Sequence, residues 1–291
     1  MKRRQFIKHS AAFGAGALTL SAIPQNLYAY SNPLHPYDRV QLGNTGIELS
    51  RMAIGTGTNG IRKSSNQDRK LGIKGLGKFL AKAYDEGINF WDTADQYGTH
   101  PHINAGLKHV KRENVVILTK SNSITANKMK EDIDRFRQEI GTDYLDIVLL
   151  HAVTNENWRE DLQGPMEVLS RFKEEGVIRA HGISCHSLAA LEAAAEEPWV
   201  DVDLARYNPA GVMMDSDVET VQKVLKKMKA NGKAIIGMKV YGAGRLLDKK
   251  DECLSFHTGN DFIDAFTLGL EGEDQLKDIL ERLPRVTGGT A

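Results

Sequence analysis

Residues 115–151 read VVILTKSNSITANKMKEDIDRFRQEIGTDYLDIVLLH, and this stretch sets the repeat on which the chain is built. Val115–Thr119 and Tyr144–Leu150 are apolar runs of strand length, as strands covered on both faces require. Ala126–Ile140 carries apolar residues at helical spacing, and Gly141 supplies the left-handed residue that stops a helix. Strand, helix and strand in that order predict a parallel pair joined by a crossover. Each strand runs into an ionisable side chain, Lys120 in one and His151 in the other.

The same unit recurs in both directions. Further strands are expected at Met52–Ile54, Asn89–Thr93, Arg179–Ser184, Val202–Tyr207, Ala234–Val240 and Ala265–Leu270. Helical spacing marks Gly72–Glu86, Pro101–Val110, Asp161–Glu175, Leu188–Glu196, Asp215–Ala230 and Leu276–Leu283, while the stretch after Tyr241 reads as polar and irregular. Eight strands with helical crossovers predict a closed (β/α)8 TIM barrel, since open doubly wound sheets usually stop at about five to seven. Val40–Leu49 (VQLGNTGIEL) places turn residues between two short runs and adds an N-terminal β-hairpin. Gly55-Thr56-Gly57-Thr58-Asn59-Gly60 is read as a glycine-rich turn after the first barrel strand, not as a dinucleotide fingerprint.

Catalytic groups of such barrels sit at the carboxyl ends of strands. Asp92 and Tyr97 in WDTADQYG follow the second strand, Lys120 the third and His151 the fourth. A lysine ammonium beside a phenol lowers its pKa, a carboxylate keeps that lysine charged, and a neutral imidazole orients a carbonyl oxygen. Tyr97 could then give a proton to that oxygen as hydride reaches carbon. Taken singly, the aspartate could cap a helix, the tyrosine pack and the lysine reach solvent. Their order on consecutive strand ends favours the chemical reading.

Those residues, with VQLGNTGIELS (40–50), ILTK (117–120), LLH (149–151), GVIRAHGISCH (176–186) and ARYN (205–208), resemble the aldo-keto reductases from about Arg39 to Leu283. The resemblance implies a barrel capped by the hairpin, a nicotinamide cofactor bound without a Rossmann motif, and a catalytic tetrad of Asp92, Tyr97, Lys120 and His151. It implies cofactor contacts at Ser184 and Cys185, where the family has a Ser-Asn pair, and at Met238 in place of a stacking tyrosine, beside Lys239. Leu204 stands where the family has glutamine. Backbone N–H groups at Gly242 and Gly244 are expected to hold phosphate, and Gly269–Gln275 occupies the place of a basic clamp for a 2′-phosphate. NADP(H) is the implied cofactor and NAD(H) its alternative. His100 and Trp158, among polar loop residues, are expected to line the pocket of a small carbonyl or polyol such as a sugar. The C-terminal segment ERLPRVTGGTA is short for a substrate cover, so an open pocket is expected. A redox-sensing or cofactor-binding protein, as in potassium-channel β subunits, and a self-recycling enzyme with retained cofactor are the rival readings.

The N-terminus reads as an address. Lys2-Arg3-Arg4-Gln5-Phe6 ahead of the small apolar run Ala11–Ile23 resembles a twin-arginine signal over residues 1–29. The expectations are export by that machinery to the periplasm and a barrel domain over 30–291. The chain has 291 residues, is 41% hydrophobic and has a formal net charge of zero, which argues against nucleic acid as a partner. No mature segment is long and apolar enough to insert stably in a membrane. His100-Pro101-His102 lacks a matching carboxylate spacing, so no metal is expected. Cys185, on a strand end, and Cys253, in a loop, could pair in an oxidising compartment. Arg206 and Lys239 are charges on barrel strands that could meet a ligand or a carboxylate.

Overall fold

The computed structural model describes residues 32–288, so the signal-like segment lies outside the described residues. β1 (Arg39–Gln41) and β2 (Glu48–Ser50) form the antiparallel hairpin, with Arg39 opposite Ser50. Eight parallel strands follow: β3 (Met52–Gly55), β4 (Phe90–Asp92), β5 (Val116–Ser121), β6 (Leu145–Val153), β7 (Ile178–Cys185), β8 (Val202–Arg206), β9 (Ala234–Met238) and β10 (Ala265–Leu268). β10 pairs with β3 and closes the ring. The helices are α1 (Asn66–Asp85), α2 (His100–Leu107), α3 (Ala126–Ile140), α4 (Trp158–Asp161), α5 (Gln163–Glu174), α6 (Leu188–Glu196), α7 (Val218–Ala230), α8 (Lys250–Thr258) and α9 (Glu273–Thr287).

Two apolar clusters account for the layering. The shell cluster joins outward strand residues such as Ile117, Val148 and Ile183 to Leu80, Phe136, Leu169 and Leu191 on the helices. The inner cluster contains Phe90, Val116, Leu118, Ile147, Leu149, Ala180, Val202, Leu204, Ala234 and Ile236, together with Leu42, Ile47 and Leu49 of the hairpin. The hairpin therefore plugs the end of the barrel where the strands begin. Its turn runs through Gly43 at φ 48°, whose missing Cβ lets it rest against Ala234.

Side-chain alternation along a strand then decides what reaches the opposite end. Phe90, then Val116 and Leu118, then Ile147 and Leu149 face inward, so the next inward positions are Asp92, Lys120 and His151. The polar mouth continues the apolar core by two residues on each strand.

The elements differ from expectation in few places. α1 starts at Asn66, with Ser65 accepting from the Asp68 N–H at 3.2 Å, and Gly72 at φ 62° kinks it. α8 forms where irregular chain was expected. It buries Cys253, Leu254 and His257, and its imidazole fills the space that a Cβ on Gly237 would occupy. Cys253 thus lies on a helix and not in a loop, and both cysteines are buried free thiols that do not pair with each other. Among the described residues no helix is long and apolar enough to cross a membrane.

Candidate active site

Lys120 organises the mouth. It is fully buried, and its Nζ donates to Asp92 Oδ1 and to the Thr93 carbonyl at 2.8 Å. Burial alone would lower its pKa, but Asp92 and then Tyr97 outweigh that and raise it. The ammonium is therefore charged inside a dry barrel, where an unpaired charge costs several kcal/mol. Asp92 Oδ2 accepts from Thr267 Oγ1 at 2.9 Å, so β10 completes the carboxylate's coordination from beyond the intervening β3.

Tyr97 lies in a single 3-10 turn, Asp95–Tyr97, that ends at Gly98 with φ 70°. The Lys120 Nζ is 5.0 Å from the centre of its ring. The His151 ring meets it edge-on, with centroids 5.7 Å apart. Burial raises the Tyr97 pKa above its ordinary 10.0, against the lowering effect of Lys120. Lys120 lowers the phenol pKa as expected, but desolvation is the larger effect, and Tyr97 keeps its proton at neutral pH. Burial, then the charge of Lys120, push His151 down to about 3, which makes it a neutral hydrogen-bonding group. The four expected residues thus converge. Thr267 was not anticipated; its signal is inward parity with Ala265, two positions earlier.

The remaining expected contacts divide. Ser184 is in the inward row and its buried hydroxyl has no hydrogen-bond partner, as suits a group that meets a ligand. Cys185, one residue on, faces the shell, fully buried among Ile183 and Ala205, so it offers nothing to the mouth. Met238 is inward at the end of β9, and Lys239 follows it with φ 57°. Burial, then Arg206 and Lys120, lower the Lys239 pKa. Arg206 is paired with Asp215. The N–H groups of Gly242 and Gly244 donate to the Lys239 and Tyr241 carbonyls at 2.7 and 2.9 Å, so those two donors serve the turn and not a phosphate. Gly269 packs on Thr58, and the Gln275 side chain accepts from the Glu271 N–H at 2.8 Å. Glu271, Glu273 and Asp274 occupy the place of the basic clamp.

His100 and Trp158 are corrected as substrate contacts. His100 is buried in the shell, bonded to Glu139 at 2.7 Å and Thr119 at 2.8 Å. Trp158 is fully buried, and its Nε1 donates to the Ala190 carbonyl at 3.3 Å. His102 turns to Asp68 at 3.0 Å, so the two histidines of the HPH motif do not share a partner. Asp95, His100 and Glu139 bring ligand-type atoms within 4.8 Å of one another. Arg135, however, donates to both carboxylates and supplies the positive charge there.

The model of the Aldo/keto reductase family matches residues 51–284. The NADH-specific methylglyoxal reductase of Escherichia coli is 25% identical over 205 residues, 62% of this chain and 62% of that protein. L-galactose dehydrogenase of Arabidopsis thaliana is 26% identical over 224 residues, 72% of this chain and 66% of the relative. The match to aldo-keto reductase YhdN of Bacillus subtilis covers 52% of this chain and 48% of that one at 28% identity, so the chain spans from about half to two thirds of these curated relatives. The holo aldo-keto reductase of Bacillus halodurans superposes with TM-score 0.69 and 17% identity over 84% of this chain and 90% of its own. That likeness shows the barrel fold.

Proposed function

The chain belongs to the aldo/keto reductase family, and from that premise we propose that it is a nicotinamide-dependent oxidoreductase interconverting a small carbonyl and its alcohol. One observation carries the reading: a charged Lys120, buried on Asp92, stands 5.0 Å from the ring of a protonated Tyr97 beside a neutral His151. Tyr97 gives its proton to the carbonyl oxygen. Lys120 stabilises the phenolate that remains, and Asp92 keeps Lys120 charged and placed. His151 has no charge to lose, so it positions the oxygen by hydrogen bonding. The bound cofactor supplies the hydride, and the unpartnered Ser184 hydroxyl suits its carboxamide.

Glu271, Glu273 and Asp274 would repel a 2′-phosphate and suit a free ribose hydroxyl, which favours NAD(H) over the NADP(H) implied by resemblance. The NADH-specific relative and its methylglyoxal substrate support NADH and a small 2-oxoaldehyde as first assay partners. Tyr97→Phe is expected to lower reduction by about a hundred to ten thousandfold while leaving NADH affinity unchanged. Fluorescence titration beside turnover decides it: retained turnover removes Tyr97 as donor, and uptake without turnover in the unaltered protein points to a cofactor-binding role.

The Arg3-Arg4 pair and the apolar run after it support twin-arginine export to the periplasm. Arg3→Lys with Arg4→Lys is expected to leave the protein folded in the cytoplasm. Cell fractionation tests this, and unchanged export would assign an ordinary secretory signal.

A further inference from the structure

The spacing Gly55-x-Gly57-x-x-Gly60 is one that, in an open sheet, brings backbone against a pyrophosphate. Here it brings backbone against Tyr97. A Cβ on Gly57 would lie 2.2 Å from Cε2, 2.4 Å from Cδ2 and 2.5 Å from Cζ of Tyr97. A Cβ on Gly60 would lie 2.4 Å from Cδ1 and 2.9 Å from Cγ of the same ring, and 3.0 Å from the Gly57 carbonyl oxygen. The two glycines touch opposite edges of one phenol. Neither has a left-handed φ, so close approach, not backbone conformation, requires them.

The loop that carries them is held under load. Asn59, Arg62 and Lys63 have φ of 51°, 52° and 63°, a region that side-chain-bearing residues adopt only when neighbours enforce it. Those neighbours are the Tyr97 turn itself. The Lys63 N–H donates to the Gln96 carbonyl at 2.9 Å, and Gln96 Nε2 donates back to the Gly60 carbonyl at 3.3 Å. Lys63 Nζ pairs with Asp95, and Gly98 packs on the Lys63 backbone.

We propose that Gly57 and Gly60 are positioning residues that seat the Tyr97 ring, with the loop Gly57–Ser64 laced to residues 95–98 so that the phenol keeps one reach into the mouth. This rests on Tyr97 being the proton donor. Its chemistry lies in one hydroxyl at the end of a ring, and a displacement of about 1 Å costs on the order of a hundredfold in rate.

Two double-mutant cycles on the full chain test the seat. In the stability cycle, Gly57→Ala lowers Tm when Tyr97 is present and leaves it within about 2 °C in a Tyr97→Ala background, while Gly60→Ala, whose methyl also meets the Gly57 carbonyl, loses less Tm in that background than with Tyr97 present. A Gly57→Ala protein that does not fold must be restored by Tyr97→Ala. Equal losses in both backgrounds, or no rescue, overturn the proposal, because the added methyl then strikes something other than the ring. In the rate cycle, with NADH and methylglyoxal as probes, Gly57→Ala lowers kcat by about ten to a hundredfold with KM for NADH within about twofold. It adds no further loss in Tyr97→Phe. Unchanged kcat, or a loss that persists in Tyr97→Phe, overturns the positioning role. Wild-type turnover by Tyr97→Phe itself refutes the donor reading instead, and the stability cycle still decides whether the glycines seat the ring.

Discussion

The β4–β6 side of the mouth and the β7–β10 side are built on different principles. On the first, charges answer one another: Asp92 pairs with Lys120, which also donates to the Thr93 carbonyl, and Thr267 reaches over from β10 to the same carboxylate. On the second, the Ser184 hydroxyl has no partner, Met238 stands at a strand end, and Arg206 is drawn to Asp215. The side proposed for proton chemistry has its charges paired by the protein itself. The side proposed to receive a ligand keeps an unpartnered hydroxyl.

Breaking the preformed half should have the largest effect. Lys120→Met leaves Asp92 buried with its charge unanswered, and is expected to cost about 3–5 kcal/mol in stability. Turnover should fall by about a hundred to ten thousandfold with it. Urea melts and steady-state rates check both, and a stable, active variant would dissolve the contrast between the halves.

Behind the second side, facing the shell between inward Val202 and Leu204, lies a buried ionisable group. Asp203 on β8 is fully buried, and burial followed by Asp215 raises its pKa to about 8. The folded value lies above the unfolded one of about 3.9, so its contribution is complete below pH 4 and is lost as pH rises through 8. Asp203→Asn has no proton to lose. It is expected to match the parent protein at pH 4 and exceed it by on the order of a few kcal/mol at pH 9. Denaturant midpoints at the two pH values measure this, and parallel pH dependences would remove Asp203 as the cause.

The smallest effect concerns cofactor choice. Glu271→Arg replaces a repelling carboxylate with a phosphate ligand, and should shift the NADPH-to-NADH preference by about tenfold, or about 1.4 kcal/mol. Competitive binding of the two cofactors reads it directly, and an unchanged ratio would place 2′-recognition elsewhere.

The same contrast explains what the sequence discloses. Asp92, Lys120 and His151 are legible because each extends an inward apolar row by two, a pattern of residue types that needs no coordinates. The ring of strands and the exact span of α3 follow from the same periodicity. Cys185 was misplaced because one residue of register reverses the face of a strand. His100 and Trp158 sit near the mouth in sequence, yet a loop position does not tell which way a large ring turns. α8 was missed because its burial depends on Gly237 opening space for His257, a contact between segments twenty residues apart. The glycine spacing after β3 matched a familiar pattern, and its partner turned out to be a side chain of the protein itself.

The Thr267 hydroxyl reaches Asp92 across 175 positions of chain. Around it, Asn66 bonds Glu271 at 2.8 Å and β10 lies along β3, so the first and last barrel strands meet beside Asp92. A folding intermediate with seven strands in place would have its aspartate and lysine together and still lack that last donor. Closing so long a stretch of chain carries a larger entropy cost than pairing neighbouring strands. Turnover by a refolding sample therefore times the moment the ring shuts, where circular dichroism would register only helices and strands already made.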